Sequence, residues 1–339
     1  MARSHFTLDL GAIRHNVGVL LSALDGAELW AVVKADAYGH GAEDVAPAAL
    51  ASGATALCVA TVPEALALRP LVPGARLIVL GPAAADEVRP AREARLELVT
   101  AAGDVPEGIP VHLKLDTGMG RWGLGELLTP GRDVVGLMTH FATADSDPSF
   151  AREQLERFLR ATAGHAGLTR HAANSAAALT LPESRLDAAR CGIALYGIDP
   201  LGDDGARWGL RPALRWESEV ALARRLARGE GTGYGRRFVA RDETWVGIVP
   251  VGYGDGLRRD LTGTEVLVAG ARRRIVGTVS MDAVAVELPG PVDPGTPVTL
   301  LGDGITAEAH ARVAGTIAYE VVCGLTSRPS RATRVVVDA

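Results

Sequence analysis

Cysteine is scarce in this chain. Its three cysteines, Cys58, Cys191 and Cys323, are scattered with no CxxC spacing. That argues against a disulfide framework or a zinc site and fits a reducing compartment. Long apolar runs are missing as well. No stretch of about 18 apolar residues offers a membrane span, and the opening MARSHFTLDL lacks the apolar core of a signal peptide. Nor does either charge dominate. Thirty-five basic against 40 acidic residues leave a net charge of −5, which favours solubility and presents no electrostatic footprint to nucleic acid or membrane. Internal repeats and low-complexity segments are absent too. The expectation is a cytoplasmic globular protein with no metal, nucleic-acid or membrane partner.

What the chain does have is apolar bulk in a regular order. Its 339 residues are comfortable for two domains, and 47% hydrophobic content supports a large core. Eight short apolar runs, at 29–33, 56–60, 77–81, 96–100, 111–115, 134–139, 169–173 and 186–191, alternate with helical or Ala-rich spacers. The segments 43–52, 63–69 and 150–167 read as helices. This order predicts a (β/α)8 TIM-like barrel over residues 1–212, with the first strand a candidate for the following domain. Two spacers, 101–110 and 124–133, are thin, because a parallel crossover usually needs about 10–12 residues including its helix. Over residues 213–339 the texture changes. Strand-like runs at 220–227, 244–251, 264–268, 274–279, 298–301 and 333–337 are separated by Gly, Pro and Asp turns, and only 307–313 looks clearly helical. The second domain reads as mostly β.

The chemistry begins in AVVKADAYGHG, residues 31–41. An apolar strand ends at Lys34 and a loop follows. The end of a barrel strand faces the mouth where catalysis occurs, and a lysine among apolar neighbours can form a Schiff base. A lone VVK would more often be a strand-end lysine reaching for water. Further on, Asn174 and Ser175 follow the seventh run and can cap a helix, while Gly192 and Ile193 follow the eighth. Barrel enzymes often bind phosphate there, on backbone N–H groups and hydroxyls, although each pair alone also fits an ordinary cap or turn. Arg121, in LKLDTGMGRWGL, can grip a carboxylate bidentately.

VVKADAYGHG resembles the segment of alanine racemases that carries pyridoxal phosphate (PLP). The likeness runs in order from TLDLGAIRHN at 7–16 to IAYEVVCGL at 317–325. It implies a PLP-bearing barrel, a C-terminal β domain, a homodimer, and interconversion of L- and D-alanine, which in the family usually supplies peptidoglycan. It assigns Lys34 to PLP, and Tyr38, Ser175, Gly192, Ile193 and Tyr319 to the phosphate. Arg190 is assigned to the pyridine nitrogen, where a guanidinium, charged at any working pH, leaves that nitrogen unprotonated. His140 and His171 belong to the same network, although lone strand-end histidines are more often structural. The second base is Tyr234, in GTGYGRRF, where Gly233 replaces the serine that the family carries; it serves the partner subunit's site. Free tyrosine ionises near about 10, so such a base needs positive charge nearby, and the likeness places His140 between Arg190 and Tyr234. Alone, Tyr234 would read as a turn tyrosine packing a β domain. Arg121 and the backbone of Met281, beside Asp282, match the substrate-carboxylate contacts. Lys114 matches a lysine, often carbamylated, that supports the arginine. Tyr253 and Tyr319 narrow the mouth, which favours a small side chain.

Three rival readings share parts of this pattern. Basic amino-acid decarboxylases resemble the lysine segment but lack the paired GYG and SMD segments. Non-enzymatic PLP-binding barrels lack the C-terminal β domain. A broader racemase acting on serine or larger amino acids fits the same motifs.

Overall fold

The computed structural model describes residues 3–103 and 105–338. It divides into two compact units, one of residues 12–201 with 205–211, the other of residues 1–11, 202–204 and 212–339.

Strand β1 (His5–Asp9) belongs to the second unit. The first unit is a closed barrel of eight parallel strands: β2 (Glu28–Val32), β3 (Ala56–Val59), β4 (Arg76–Val79), β5 (Glu97–Thr100), β6 (Val111–Lys114), β7 (Val134–Met138), β8 (Thr169–His171) and β9 (Ala188–Cys191). Pairing of β9 with β2 closes it. Short continuous apolar runs form these strands because both faces are covered, which leaves no solvent side to demand alternation. Helices follow β2 (Ala42–Ala51), β3 (Val62–Leu68), β4 (Val88–Glu93), β7 (Pro148–Thr162) and β8 (Ser175–Thr180). Their starts are written locally. Thr61 and Glu64 form a reciprocal capping box, and Asp147 caps a helix whose first residue is Pro148. In that helix Ala151, Leu155, Phe158 and Thr162 recur at helical spacing and are buried. The two thin spacers carry no helix among their described residues. After β6 a glycine-rich loop is pinned instead by a bridge between Leu115 and Leu124.

The second unit is mostly sheet. Its further strands are β10 (Leu214–Glu219), β11 (Leu222–Leu226), β12 (Gly231–Thr232), β13 (Phe238–Val239), β14 (Thr244–Val249), β15 (Glu265–Val268), β16 (Ala271–Val276), β17 (Val284–Leu288), β18 (Pro297–Leu301) and β19 (Thr333–Val337). Nine strands form one sheet in the order β11-β14-β17-β16-β15-β18-β10-β1-β19, and β12 pairs with β13. In β10 buried and partly exposed residues alternate, the period of a strand with one face on a core. Leu226, Ala240, Val246, Val276 and Ala285 form one part of that core. The unit holds a second helix beyond the one read at 307–313: Ala318–Cys323 follows Ala307–Ala314. Its six residues span too little chain to show a helical period, and their Val321–Val322 pair mimics a strand.

Candidate active site

Lys34 stands two residues beyond the end of β2. The chain then does something unusual for L-residues. Ala35, Asp36, Ala37 and Tyr38 have φ of 52°, 53°, 53° and 56°, a left-handed turn without glycine. Such a turn costs about 1–2 kcal/mol per residue. Hydrogen bonds offset it. Glu64 Oε1 accepts from the Ala35 amide at 2.8 Å, Asp36 Oδ1 from the Ala42 amide at 2.7 Å, and the Asp36 carbonyl from the Gly41 amide at 2.9 Å. Ala37 and Tyr38 are buried. The Tyr38 hydroxyl ends against Gly192, where a Cβ would lie 2.4 Å from it, so this glycine is required by close approach.

Beside Gly192 lie the groups expected to hold a phosphate. Ser175 Oγ accepts from the amides of Gly192 at 3.0 Å and Ala194 at 3.4 Å. Asn174 Oδ1 caps the helix that starts at Ser175, through the Ala177 amide at 3.0 Å. Ile193 is fully buried. Two hydroxyls and a run of backbone N–H groups thus share one corner of the barrel, with no carboxylate among the contacts named. Those are the donors that a phosphate dianion needs.

Arg190, on β9, is buried at 3% exposure. Its Nη1 donates to His171 Nδ1 at 2.7 Å and to the His171 carbonyl at 3.0 Å. Its Nη2 donates to the carbonyls of Thr139 (2.9 Å) and Ala172 (3.1 Å) and to His140 Nδ1 (3.2 Å). Nε has no partner among the described residues. Burial pushes the guanidinium down to about 10. His140 is held well below its usual range by burial and then by the charges of Arg190, Arg121, Lys34 and Lys114. His171 is held there by burial and Arg190. Four cations thus act on the neutral His140 imidazole, and Arg190 acts on His171 as well.

Lys114, the last residue of β6, is buried and donates to the Trp122 carbonyl. Burial, followed by the charge of Arg121, pushes it down to about 8. Asp116 ties the intervening loop by accepting from the amides of Gly118, Met119 and Gly120 at 2.8–2.9 Å. Arg121 is exposed, with its guanidinium 5.2 Å from the Trp122 ring centre.

The remaining predicted residues lie in the β unit, on segments that hydrogen bonds tie together. The Tyr234 carbonyl accepts from Thr278 Oγ1 at 2.9 Å, the Tyr253 amide donates to the Ser280 carbonyl at 3.0 Å, and the Gly254 amide to the Met281 carbonyl at 2.9 Å. Tyr319 sits on the helix Ala318–Cys323, beside which the Thr326 amide donates to the Asp255 carbonyl at 3.0 Å. Tyr234, Met281 and Tyr253 are 70%, 52% and 42% exposed. Sequence reading missed the arginine that joins these turns. Arg331 Nε donates to Asp255 Oδ1 at 2.7 Å, and Nη2 reaches Asp255 Oδ2 at 3.1 Å and Asp282 Oδ1 at 2.8 Å. No local signal separates it from the other arginines of the tail. Also missed were Arg76, Glu97 and His112 inside the barrel. Their signal was available, as ionisable residues set in otherwise apolar strands.

Family profiles described as "Alanine racemase, N-terminal domain" and "Alanine racemase, C-terminal domain" match residues 8–200 and 213–333. The chain is 42% identical to the alanine racemase of Mycolicibacterium smegmatis, covering 100% of this chain and 96% of that one. It is 41% identical to that of Streptomyces coelicolor, covering 97% and 95%. Among solved structures, the biosynthetic alanine racemase of Pseudomonas aeruginosa matches with a TM-score of 0.91 at 36% identity, covering 99% of this chain and 100% of that one.

Proposed function

Because this chain belongs to the alanine racemase family, with the interconversion of L- and D-alanine as its reaction, we propose that it works on pyridoxal phosphate with Lys34 and Tyr234 as opposed proton-transfer groups. Bound, PLP would supply an electron sink that acidifies the substrate's α-C–H. The observation that carries this reading is Arg190. It is a buried guanidinium with both Nη atoms satisfied and Nε without an acceptor among the described residues. A guanidinium donates and never accepts, so it suits an unprotonated pyridine nitrogen and keeps the sink moderate, which disfavours misplaced protonation and so transamination. Lys34 would hold the cofactor covalently. Ser175, the Gly192 and Ile193 backbone, Tyr38 and Tyr319 would hold its phosphate.

Lys34 Nζ moves a proton on one face of the α-carbon, and Tyr234 Oη, reaching in from the partner subunit, moves one on the other. Arg121 grips the substrate carboxylate, helped by the Met281 backbone of the partner subunit, and Lys114 steadies Arg121 through the neighbouring Trp122 carbonyl. Tyr253 and Tyr319 limit the size of the side chain admitted. The exposure of Tyr234, Tyr253 and Met281 on the β unit supports a homodimer with shared sites. The product D-alanine serves peptidoglycan synthesis in the cytoplasm. Borohydride reduction of the holoenzyme, followed by peptide mapping, tests the cofactor reading. A pyridoxyl group on Lys34 supports it, and one on any other lysine overturns the assignment.

A further inference from the structure

We propose that Arg76, Glu97 and His112 form a directed hydrogen-bond relay through the barrel interior that positions Arg190 by fixing the tautomer of His171. The proposal rests on the cofactor reading above and extends it to three residues that touch neither cofactor nor substrate.

The direction of the relay follows from its two ends. Arginine has only donors, so His171 Nδ1, 2.7 Å from Arg190 Nη1, must accept. A neutral imidazole that accepts at Nδ1 carries its proton on Nε2. That Nε2 lies 2.9 Å from His112 Nδ1, which therefore accepts in turn. His112 then carries its own proton on Nε2, 2.9 Å from Glu97 Oε2. Glu97 closes the chain as an ionised acceptor. Arg76 fixes it with Nε to Oε1 at 2.8 Å and Nη2 to Oε2 at 3.0 Å, and is itself 3.3 Å from Glu28 Oε2. A donor-only group at one end and an acceptor-only group at the other admit one arrangement of the protons between them.

The surrounding barrel is shaped for this chain. Gly136 pairs in register with His112, and a Cβ there would lie 2.1 Å from His112 Nδ1. Gly136 is absent from the positive-φ residues, so the glycine makes room for the ring and answers no backbone need. Trp30 walls the relay, with its ring 4.5 Å from His171 and 5.7 Å from His112, and the Arg76 guanidinium lies 5.1 Å from its centre. Barrel interiors are ordinarily filled by branched apolar residues, and a buried polar chain is stable only when every member is satisfied. Reversal of the relay would set a His171 Nδ1–H against an Arg190 N–H and push the guanidinium from its place. Glu97 thus controls, two imidazoles away, the group that faces the cofactor.

Two variants separate a relay from mere packing. His112→Phe keeps the ring's shape and removes both nitrogens. His112→Gln loses the shape but can offer a carbonyl to His171 and an amide to Glu97. Histidine side-chain 15N NMR of the full-length protein, with and without PLP, reads the tautomers. Visible absorption and steady-state kinetics of the holoenzyme read the consequence. In wild type and His112→Gln, His171 should be neutral with its proton on Nε2. In His112→Phe it should become a tautomer mixture, with a shifted visible band and kcat lower by about tenfold at little-changed KM. Gly136→Ala, which displaces the His112 ring without altering any ionisable group, should repeat the His112→Phe result and serves if that variant does not fold. A wild-type His171 that is charged or carries its proton on Nδ1 overturns the relay, as does a Phe variant indistinguishable from Gln. A wild type that binds no PLP would overturn the cofactor reading, while the tautomers still decide the relay.

Discussion

Arg190 Nη2 lies 3.2 Å from His140 Nδ1, and every acceptor that Arg190 reaches is a neutral carbonyl or imidazole. Its buried charge has no carboxylate contact among the described residues. An unpaired buried charge costs several kcal/mol, a cost that stability alone would not maintain. The arrangement fits a group held ready for an acceptor outside the protein.

Arg190→Glu should therefore change the outcome of the reaction as well as its rate. A carboxylate at this place would favour the protonated form of the pyridine nitrogen, with the proton taken from solvent. Racemisation should fall on the order of a hundredfold, a new long-wavelength absorption should appear during turnover, and pyruvate should accumulate from transamination. Spectra and a coupled pyruvate assay check this. A variant that is slow but shows neither change would remove Arg190 from the ring.

Tyr234→Phe should racemise poorly in both directions, since each direction needs both groups. With Lys34 serving the D face, the variant should still exchange the α-proton of D-alanine with solvent deuterium while exchange of L-alanine becomes slow. Mass spectrometry of the two enantiomers after incubation in D2O makes the comparison. Equal slowing for both would contradict the two-base assignment.

Mixing two inactive variants should restore activity. Lys34→Ala damages the barrel contribution and Tyr234→Phe the β-unit contribution. In a mixed dimer with shared sites, one site collects both defects and the other has neither. Random reassortment of equal amounts makes half the dimers mixed, so activity should approach about a quarter of wild type. The two variants are refolded together and assayed against each refolded alone. Hybrids verified by distinct tags but inactive would mean that Tyr234 serves its own subunit.

Glu97 makes a prediction about acid. Burial would raise its carboxyl, but the hydrogen bonds from His112 and Arg76 prevail and hold it at about 2. With an unfolded value near 4.3, a depressed folded value contributes stability that is complete above about 4.3. This contribution is lost as pH falls through about 2. Its side chain is only 13% exposed, so the contribution is about 3 kcal/mol. Glu97→Gln should lose roughly that much at neutral pH, and its deficit against wild type should shrink by about 2 kcal/mol by about pH 3. Urea unfolding at a series of pH values measures the gap. A deficit constant with pH would show that packing, and not charge, is what Glu97 supplies.

The barrel was legible in the sequence because strands buried on both faces cannot hide. A run such as ALCV is apolar without a break, and RLIV is apolar after its first residue. Lys34, Ser175 and Gly192 drew attention because they stand where such strands end, while their roles, and that of Arg190, came from the family likeness. The left-handed hand of Ala35–Tyr38 was not, since alanine and tyrosine carry no preference for positive φ and only tertiary hydrogen bonds impose it. The relay was missed for another reason. Glu97, His112 and His171 lie on three different strands and acquire meaning only from register, which a single sequence does not print. Arg331 joins Asp255 and Asp282 across 76 and 49 residues of chain, beyond any local pattern.

The turn at Ala35–Tyr38 also bears on which part of the barrel opens first. At φ near +52° a D-alanine would rest in its own preferred conformation, whereas the L-residues there are held against theirs. Released from Glu64 and Asp36, the segment would relax toward the opposite hand and carry Lys34 with it. Amide hydrogen exchange over these four residues would then run faster than in the flanking strands. A ligand at Lys34 that binds only the wound state would slow that exchange. Ligand occupancy would thus be readable in the protection of four backbone amides, without following the reaction at all.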